Sequence, residues 1–388
     1  MKTNKVTDKL IKNKVIAIIG GGPGGLTLAR LLQQKGANVK VYERDEHKDV
    51  RVQGATLDLH EESGLAALKE GGLMDAFNAN YRPGADKLRL VDKHSVIMHD
   101  ENDEQESNRP EIDRGPLRKI LLDSLEDETV VWNSHFSCMV QINDQWKIEF
   151  KNGTSVIADV VIAADGANSK IRPFITPVKP FYSGVTMVEG VVYNSEVNAP
   201  KIHELLNGGK IFAMADEKTL IVSSKGDGSL IFYTGVKSGE DWVKESGIDF
   251  NNKEQVKSWF MEEFSGWDHI WLELFDNCED KFIPRPQYCM PLDQQWETQS
   301  NLTMLGDAAH LMPPFAGEGV NMAMLDALEL SRCLTNDNYP NIHSALSHYE
   351  KEMLRRSSEV AEETLQQTDA LHAPDALNYL VGFFTAPR

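Results

Sequence analysis

The sequence predicts an α/β protein in two parts. One domain is built on a parallel sheet, and a second α+β domain has a mainly antiparallel sheet, with helices closing the chain. Three observations predict this. Val15 to Ile19 is a continuous apolar run followed by a glycine turn, a helical pattern and a second strand at Asn38 to Glu43, as expected for parallel strands covered on both faces. From about Pro180 to Asp276 the pattern changes to strands followed by helical pieces, without the alternation of a doubly wound fold. After that section a further apolar strand, Leu302 to Leu305, runs into a glycine and an aspartate, so the chain returns to its first domain. The expected division is 1–82, 105–179 and 277–340 for the first domain, 83–104 and 180–276 for the second, and 341–388 for the C-terminal helices.

The first turn, Gly20 to Gly25, fits G-x-G-x-x-G at Gly20, Gly22 and Gly25. Glycines there allow a tight turn and close approach to a pyrophosphate, and the helix from Leu26 to Lys35 offers free N–H groups and a positive dipole end. Glu43 lies about 20 residues beyond the first glycine, where an acid accepts from a ribose hydroxyl. Strand, turn, helix, strand and acid in this order make a Rossmann-like dinucleotide site. The charged stretch that follows carries Arg44 and Arg51, which suit either phosphate contacts or a solvated turn.

Glu61 to Tyr81 reads as two short helices, and Lys87 to His99 as a hairpin. Asp100 to Ser107 reads as a surface loop. Arg114 precedes an amphipathic helix ending near Leu125 and is placed to reach a cofactor; Arg118 reads as structural. Strands follow at Thr129 to Trp132 and His135 to Val140, then a hairpin from Gln145 to Val156. The strand from Asp159 ends at Asp165-Gly166, either a carboxylate at a ligand-binding sheet edge or an Asp-Gly turn. The second domain shows strands at Val185 to Tyr193, Lys210 to Met214, Leu220 to Ser224 and Leu230 to Val236, then aromatic-rich helices read as core. Asp307 follows the late strand. Gly317, Glu318, Gly319 and Val320 open a helix running to Leu334, a second glycine-rich helix start able to face an anion or carbonyl. His310 reads as part of the turn rather than as a base. A long helix spans Asn341 to Gln367, and a last one Asp375 to Phe384.

Bulk composition narrows the function. The chain has 388 residues, 41% of them hydrophobic, and a net charge of −19, so nucleic acid and anionic membrane surfaces are poor partners. No apolar run approaches a membrane span. Met1 to Asn13 is polar and Lys-rich and reads as a frayed tail without a secretory signal. The four cysteines are scattered and lack zinc spacing, which favours buried thiols in a reducing cytoplasm and no metal site. A cytoplasmic monomer is expected.

Taken together, Gly20 to Gly25 with Glu43, Arg114, Asp165-Gly166, and Gly306-Asp307 with Gly317 to Val320 resemble the motifs of FAD-dependent aromatic hydroxylases, the single-component monooxygenases built like para-hydroxybenzoate hydroxylase. Within them, Ile18 to Pro23, Gly54 to His60, Pro110 to Arg114 and Gly306 to Gly317 look like the tetracycline-inactivating TetX type. The resemblance implies that Glu43 and Arg44 contact the adenosine side of FAD, with Asp58 and Arg114 further along. Asp307 and Gly317 to Val320 would hold the ribityl, pyrophosphate and isoalloxazine, and Asp165 would serve both FAD and NADPH. Arg51 matches a position implicated in NADPH binding, and the long terminal helix resembles one that bridges the two domains. The implied activity is NADPH- and O2-dependent hydroxylation of a tetracycline or another polycyclic or phenolic compound, with oxygen activated at flavin C4a. Glu189, Lys210 and Ile231 stand where that subgroup has a substrate-binding glutamine, an arginine and a histidine. An amide donor is thereby lost, a planar guanidinium becomes a point charge, and an imidazole becomes aliphatic.

Overall fold

The computed structural model describes residues 9–50, 54–101, 109–279 and 281–385. Five parallel strands form the first sheet, in the order Leu302–Met304, Val160–Ala163, Val15–Ile19, Asn38–Tyr42, Val130–Val131. Ile18 sits between Ile162 and Val41 in register, and all three are fully buried. That is why these runs are apolar without alternation. One layer over the sheet contains helices Pro23–Gln34 and Gly319–Leu334, which pack on each other. The antiparallel meander Phe136–Ile142, Gln145–Phe150, Ser155–Ala158 adds Trp146, Ile148 and Phe150 to the same core, with the Tyr42 and Phe150 rings stacked at 4.9 Å.

Because the five strands run the same way, their C-terminal ends share one edge. Gly20, Glu43, Asp165 and Gly306-Asp307 leave the sheet there, although they are far apart in sequence. Ligands of open parallel sheets bind at this edge.

The second sheet has seven strands, in the order Ile283–Cys289, Phe181–Val192, Leu230–Lys237, Lys218–Ser224, Lys210–Ala215, Leu88–Val91, Ile97–Glu101. Every pairing is antiparallel except Lys210–Ala215 with Leu88–Val91. Strand alternation gives it two distinct faces. Val188, Phe232, Val222 and Ile211 pack on one face against Phe260, Trp271 and Phe275 of the helical layer, with Phe260 and Phe275 stacked at 4.1 Å. The aromatics of this section are therefore core. Glu189, Tyr233, Ile221 and Phe212 fall in one row on the opposite face.

Helix Ile342–Leu371 joins the two halves. Ala345, Leu346, Tyr349 and Met353 belong to the core of the first sheet, and the Tyr349 hydroxyl donates to the Met304 carbonyl at 3.1 Å. Its last residue, Leu371, packs with Leu88, Leu90 and Met214 of the second sheet and with helix Ala376–Thr385.

Several expectations change. Ile283–Cys289 pairs along Phe181–Val192 as an edge strand of the second sheet, not with the first domain as expected for 277–340; its Pro284 and Pro286 obscure a strand pattern that an edge tolerates. Leu10 and Ile11 are buried in the first core, so the N-terminal stretch is not wholly a frayed tail. Helices Ser195–Asn198 and Pro200–Leu206 interrupt a section read as strands and turns. Cys138 is exposed, while Cys278, Cys289 and Cys333 are buried, all four as free thiols. The Asp100 to Ser107 loop lies largely outside the described residues, as does Arg51.

Candidate active site

The glycine turn is built by steric exclusion. A Cβ on Gly20, whose φ is +114°, would stand 2.2 Å from the Ala164 carbonyl oxygen. One on Gly25 would meet the Gly20 carbonyl oxygen at 2.2 Å, whereas one on Gly22 would meet nothing within 4 Å. Two glycines thus close the turn against the sheet, and the third leaves space at the helix start. Gly22 caps helix Pro23–Gln34 without any side-chain acceptor, so its first-turn N–H groups keep their affinity for an anion. Glu43 is buried, and its two oxygens accept from the Gly21 and Asp45 N–H groups at 2.5 and 3.0 Å. The acid braces the turn from below while retaining lone pairs for a ribose hydroxyl. Arg44 beside it is exposed.

At the same edge, the Gly306 N–H donates to buried Asp326 at 2.9 Å. Arg172, which carried no sequence signal, spans the two aspartate motifs. Its guanidinium donates to the carbonyls of Ala308, Asp307 and Ala167 at 2.7, 2.8 and 3.1 Å. Asp165 accepts from the Lys170 N–H at 2.7 Å through one oxygen; the other is buried without a partner. His310 is buried against Asp326 at 2.5 Å, and Arg356 of the bridging helix holds the second Asp326 oxygen at 2.7 Å. Burial works against the His310 cation, but Asp326 beside it holds its pKa above the ordinary value. His310 is thus part of the scaffold rather than a group facing a ligand.

Asp307 and Arg114 are both open to solvent, yet protein surrounds each closely enough to disfavour its charged form. Solvent access combined with enclosure is what the wall of a deep cleft produces. Desolvation raises the Asp307 pKa, opposed by His310, Arg114 and Arg172. Arg114 feels Tyr233, Asp307 and Glu189 as favourable neighbours and Arg285 as an unfavourable one. It therefore sits between the aspartate of the first sheet and the polar row of the second.

On that second wall, Glu189 is nearly buried and accepts from Arg285 Nε at 2.7 Å. Tyr233 is its cross-strand neighbour. Burial first, then the Glu189 charge, pushes the Tyr233 phenol far above its usual range, so it stays a neutral donor. Lys210 lies three strands from Glu189 in the same sheet and is ion-paired with buried Glu111. At roughly 4.8 Å per strand step, the strands carrying these two expected substrate residues are about 14 Å apart. Tyr233 and Arg285 had no signal in the sequence, because only strand register brings them to Glu189. A surface pocket of about 440 Å³, lined by Asn198, Lys253, Asp276 and Lys281 among others, carries none of these candidate groups.

Gly317 has φ +73°, and a Cβ there would stand 3.2 Å from an Asp58 oxygen. Gly319 opens helix Gly319–Leu334 with no atom within 4 Å of a would-be Cβ. The donor set fits a flavin dinucleotide: an open glycine turn, a second open helix start, an orphaned Asp165 oxygen and a cleft-facing Asp307. The model of a family described as "FAD binding domain" matches residues 12–277 and 290–364. The chain belongs to that family.

Relatives of this FAD-binding protein are named as monooxygenases, hydroxylases and an epoxidase. It is 29% identical to a monooxygenase, asqM, of Emericella nidulans over 86% of each chain. It is 28% identical to 6-hydroxynicotinate 3-monooxygenase of Pseudomonas fluorescens over 89% of each. The structure of tetracycline destructase Tet(55) superposes with a TM-score of 0.75 at 18% identity, covering 98% of this chain and 96% of that one, a likeness of fold. Sequence relatives thus place the chain among FAD-dependent monooxygenases more broadly than the TetX type. Among the described residues no cluster of metal ligands is present, and no helix is long and apolar enough to cross a membrane.

Proposed function

We propose that the chain is an NADPH-dependent FAD monooxygenase that hydroxylates an electron-rich phenolic or enolic ring system, with tetracycline as the substrate to test first. The observation that carries this is the two-walled cleft: Asp307 and the open helix starts on one side, Tyr233 and the Glu189–Arg285 pair on the other, and Arg114 between them. Gly20 to Gly25, Glu43 and Arg44 would hold the adenosine end, with Arg114, Asp165, Asp307 and Gly317 to Val320 along the rest. When bound, FAD supplies hydride acceptance and oxygen activation. The chain's own groups bind and orient. The neutral Tyr233 hydroxyl donates to a substrate oxygen, Glu189 accepts a substrate hydroxyl proton, and Arg114 favours negative charge on the ring being attacked. No nucleophilic side chain is required.

The spacing of the second sheet separates substrate classes. A ligand that reached both Glu189 and Lys210 would need the length of several fused rings, which supports a tetracycline-like compound. A single ring would occupy only the Glu189, Tyr233 and Arg114 end. The neutralisation of Lys210 by Glu111 and the name of the 6-hydroxynicotinate enzyme favour this second reading.

Incubating the FAD-loaded protein with tetracycline, NADPH and O2 should remove the drug's absorbance and yield a product heavier by one oxygen atom. No loss, with FAD bound and reducible by NADPH, rejects tetracycline and leaves the monooxygenase assignment. Stimulation of NADPH oxidation by 6-hydroxynicotinate would then select the single-ring reading.

A further inference from the structure

His60 is buried beside the Gly317 to Val320 turn, and none of the chemistry above uses it. Its Nε2 stands 3.0 Å from Asp58 Oδ2, and its Nδ1 stands 3.4 Å from Glu318 Oε1. Ionised carboxylates only accept hydrogen bonds, and a neutral imidazole donates from one nitrogen alone. Facing a carboxylate at both nitrogens therefore requires one extra proton, on the ring or on Glu318.

The surrounding charges favour the ring. Asp58 lies two residues before His60, and Glu318 just precedes helix Gly319–Leu334. Arg109 approaches from the segment before Glu111 and opposes the imidazolium. Lys210, paired with Glu111, acts on Asp58, and Glu62 acts on Glu318. Burial disfavours the His60 cation, yet Asp58 and Glu318 leave its pKa raised. Burial works against the Asp58 anion too, but His60 and Lys210 hold its pKa below the ordinary value, while burial raises that of Glu318.

Hydrogen bonds tie the same two segments together. The His60 N–H and the Ser63 hydroxyl donate to Asn321 Oδ1 at 3.0 and 3.2 Å, while Asn321 Nδ2 donates to the Asp58 carbonyl at 2.9 Å. Gly317, in its left-handed conformation, lies so near the Asp58 carboxylate that a Cβ there would stand 3.2 Å from its oxygen.

We propose that His60 is a positioning residue for the flavin: its imidazolium bridges Asp58 to Glu318 and holds the Gly317 to Val320 turn in the form that receives the isoalloxazine. This rests on the FAD assignment of that turn. A group whose pKa is raised on folding contributes below its unfolded value, and the contribution is lost as pH rises through the folded value. The bridge is therefore complete at mildly acidic pH and broken at alkaline pH.

The test is FAD titration of the FAD-free full-length protein, followed by flavin fluorescence from pH 6 to 9.5. The dissociation constant of the unsubstituted protein should rise about tenfold, the change that one pKa unit of coupling produces. Glu318→Gln should move the midpoint of that rise to lower pH, and His60→Gln should flatten the profile at the weak level. If His60→Gln does not fold, the midpoint shift in Glu318→Gln decides alone. A flat profile in the unsubstituted protein, or an unmoved midpoint in Glu318→Gln, overturns the proposal. Nitrogen NMR of the FAD-free protein supplies an independent readout: both His60 nitrogens should carry protons at about pH 6, below the ordinary imidazole value. A neutral ring with normal FAD binding rejects the bridge alone. A protonated ring with no FAD binding at any pH rejects the cofactor assignment, and the positioning role with it.

Discussion

The two walls of the cleft are built by different means. On the first wall, function resides in the backbone: a glycine turn wedged under Ala164, two open helix starts and the shared end of a parallel sheet. On the second, it resides in side chains that meet across strands, with Glu189 on Arg285, Tyr233 beside Glu189, and Lys210 on Glu111. A backbone site is difficult to alter without unfolding its surroundings. A side-chain site can be exchanged residue by residue on an unchanged sheet. On the proposed function, the wall that would hold a common cofactor is thus the rigid one, and the wall that would select a substrate is the adaptable one.

This contrast can be broken in order of severity. Gly20→Ala should be the most damaging change, since its Cβ would stand 2.2 Å from a backbone oxygen at φ +114°. A loss of about 4 kcal/mol, summing strain and overpacking, should appear in urea unfolding, together with loss of FAD from the purified protein. Gly22→Ala, with open space around it, should retain the fold and isolate the effect on the cofactor.

Asp326→Asn should come next, at about 3 kcal/mol, because it leaves buried His310 without its anion, while half-buried Arg356 keeps only Glu329. Its pH dependence has a definite sign. The His310 pKa is raised, so its contribution is complete below about 6.5 and lost as pH rises through the folded value. The Asp326 pKa is lowered, so its contribution is present above its unfolded value and lost as pH falls through the folded one. The difference in unfolding free energy between the unsubstituted protein and Asp326→Asn should therefore be largest between those limits and narrow on both sides. A difference constant with pH would reject the charged pair.

Glu189→Gln should cost the fold least, about 1 kcal/mol or less, because Arg285 is 47% exposed and its pairing is screened. FAD binding should be unchanged, while substrate KM should rise about tenfold, equivalent to one charge-assisted hydrogen bond. Ultraviolet titration should also show the Tyr233 phenol ionising at lower pH, since the Glu189 charge that raises it is gone. Loss of FAD in this variant would mean that the two walls are not separable.

How much was legible follows the same division. Gly20 to Glu43, Asp165-Gly166, Gly306-Asp307 and the helix start at Gly319 were readable because turns and helix ends need particular residues at fixed spacing, whatever the rest of the chain does. The Arg172 bridge, the His310–Asp326–Arg356 network and the His60 contacts were not readable. Each joins segments far apart in sequence through side chains that carry no local signature. Ile283–Cys289 was misplaced for a related reason: an edge strand interrupted by prolines shows little pattern until its partner is known.

By itself, then, the sequence determined that a parallel sheet presents glycine turns and carboxylates to a dinucleotide, because backbone conformation is a local property of residue type and spacing. Only the tertiary structure decided that Glu189 meets Arg285, that Lys210 is spent on Glu111, and that Asp307, Arg114 and Tyr233 share one cleft. Those encounters depend on strand register and on the packing of the two sheets, and long-range contacts of that kind are set by the whole chain rather than by any one stretch of it.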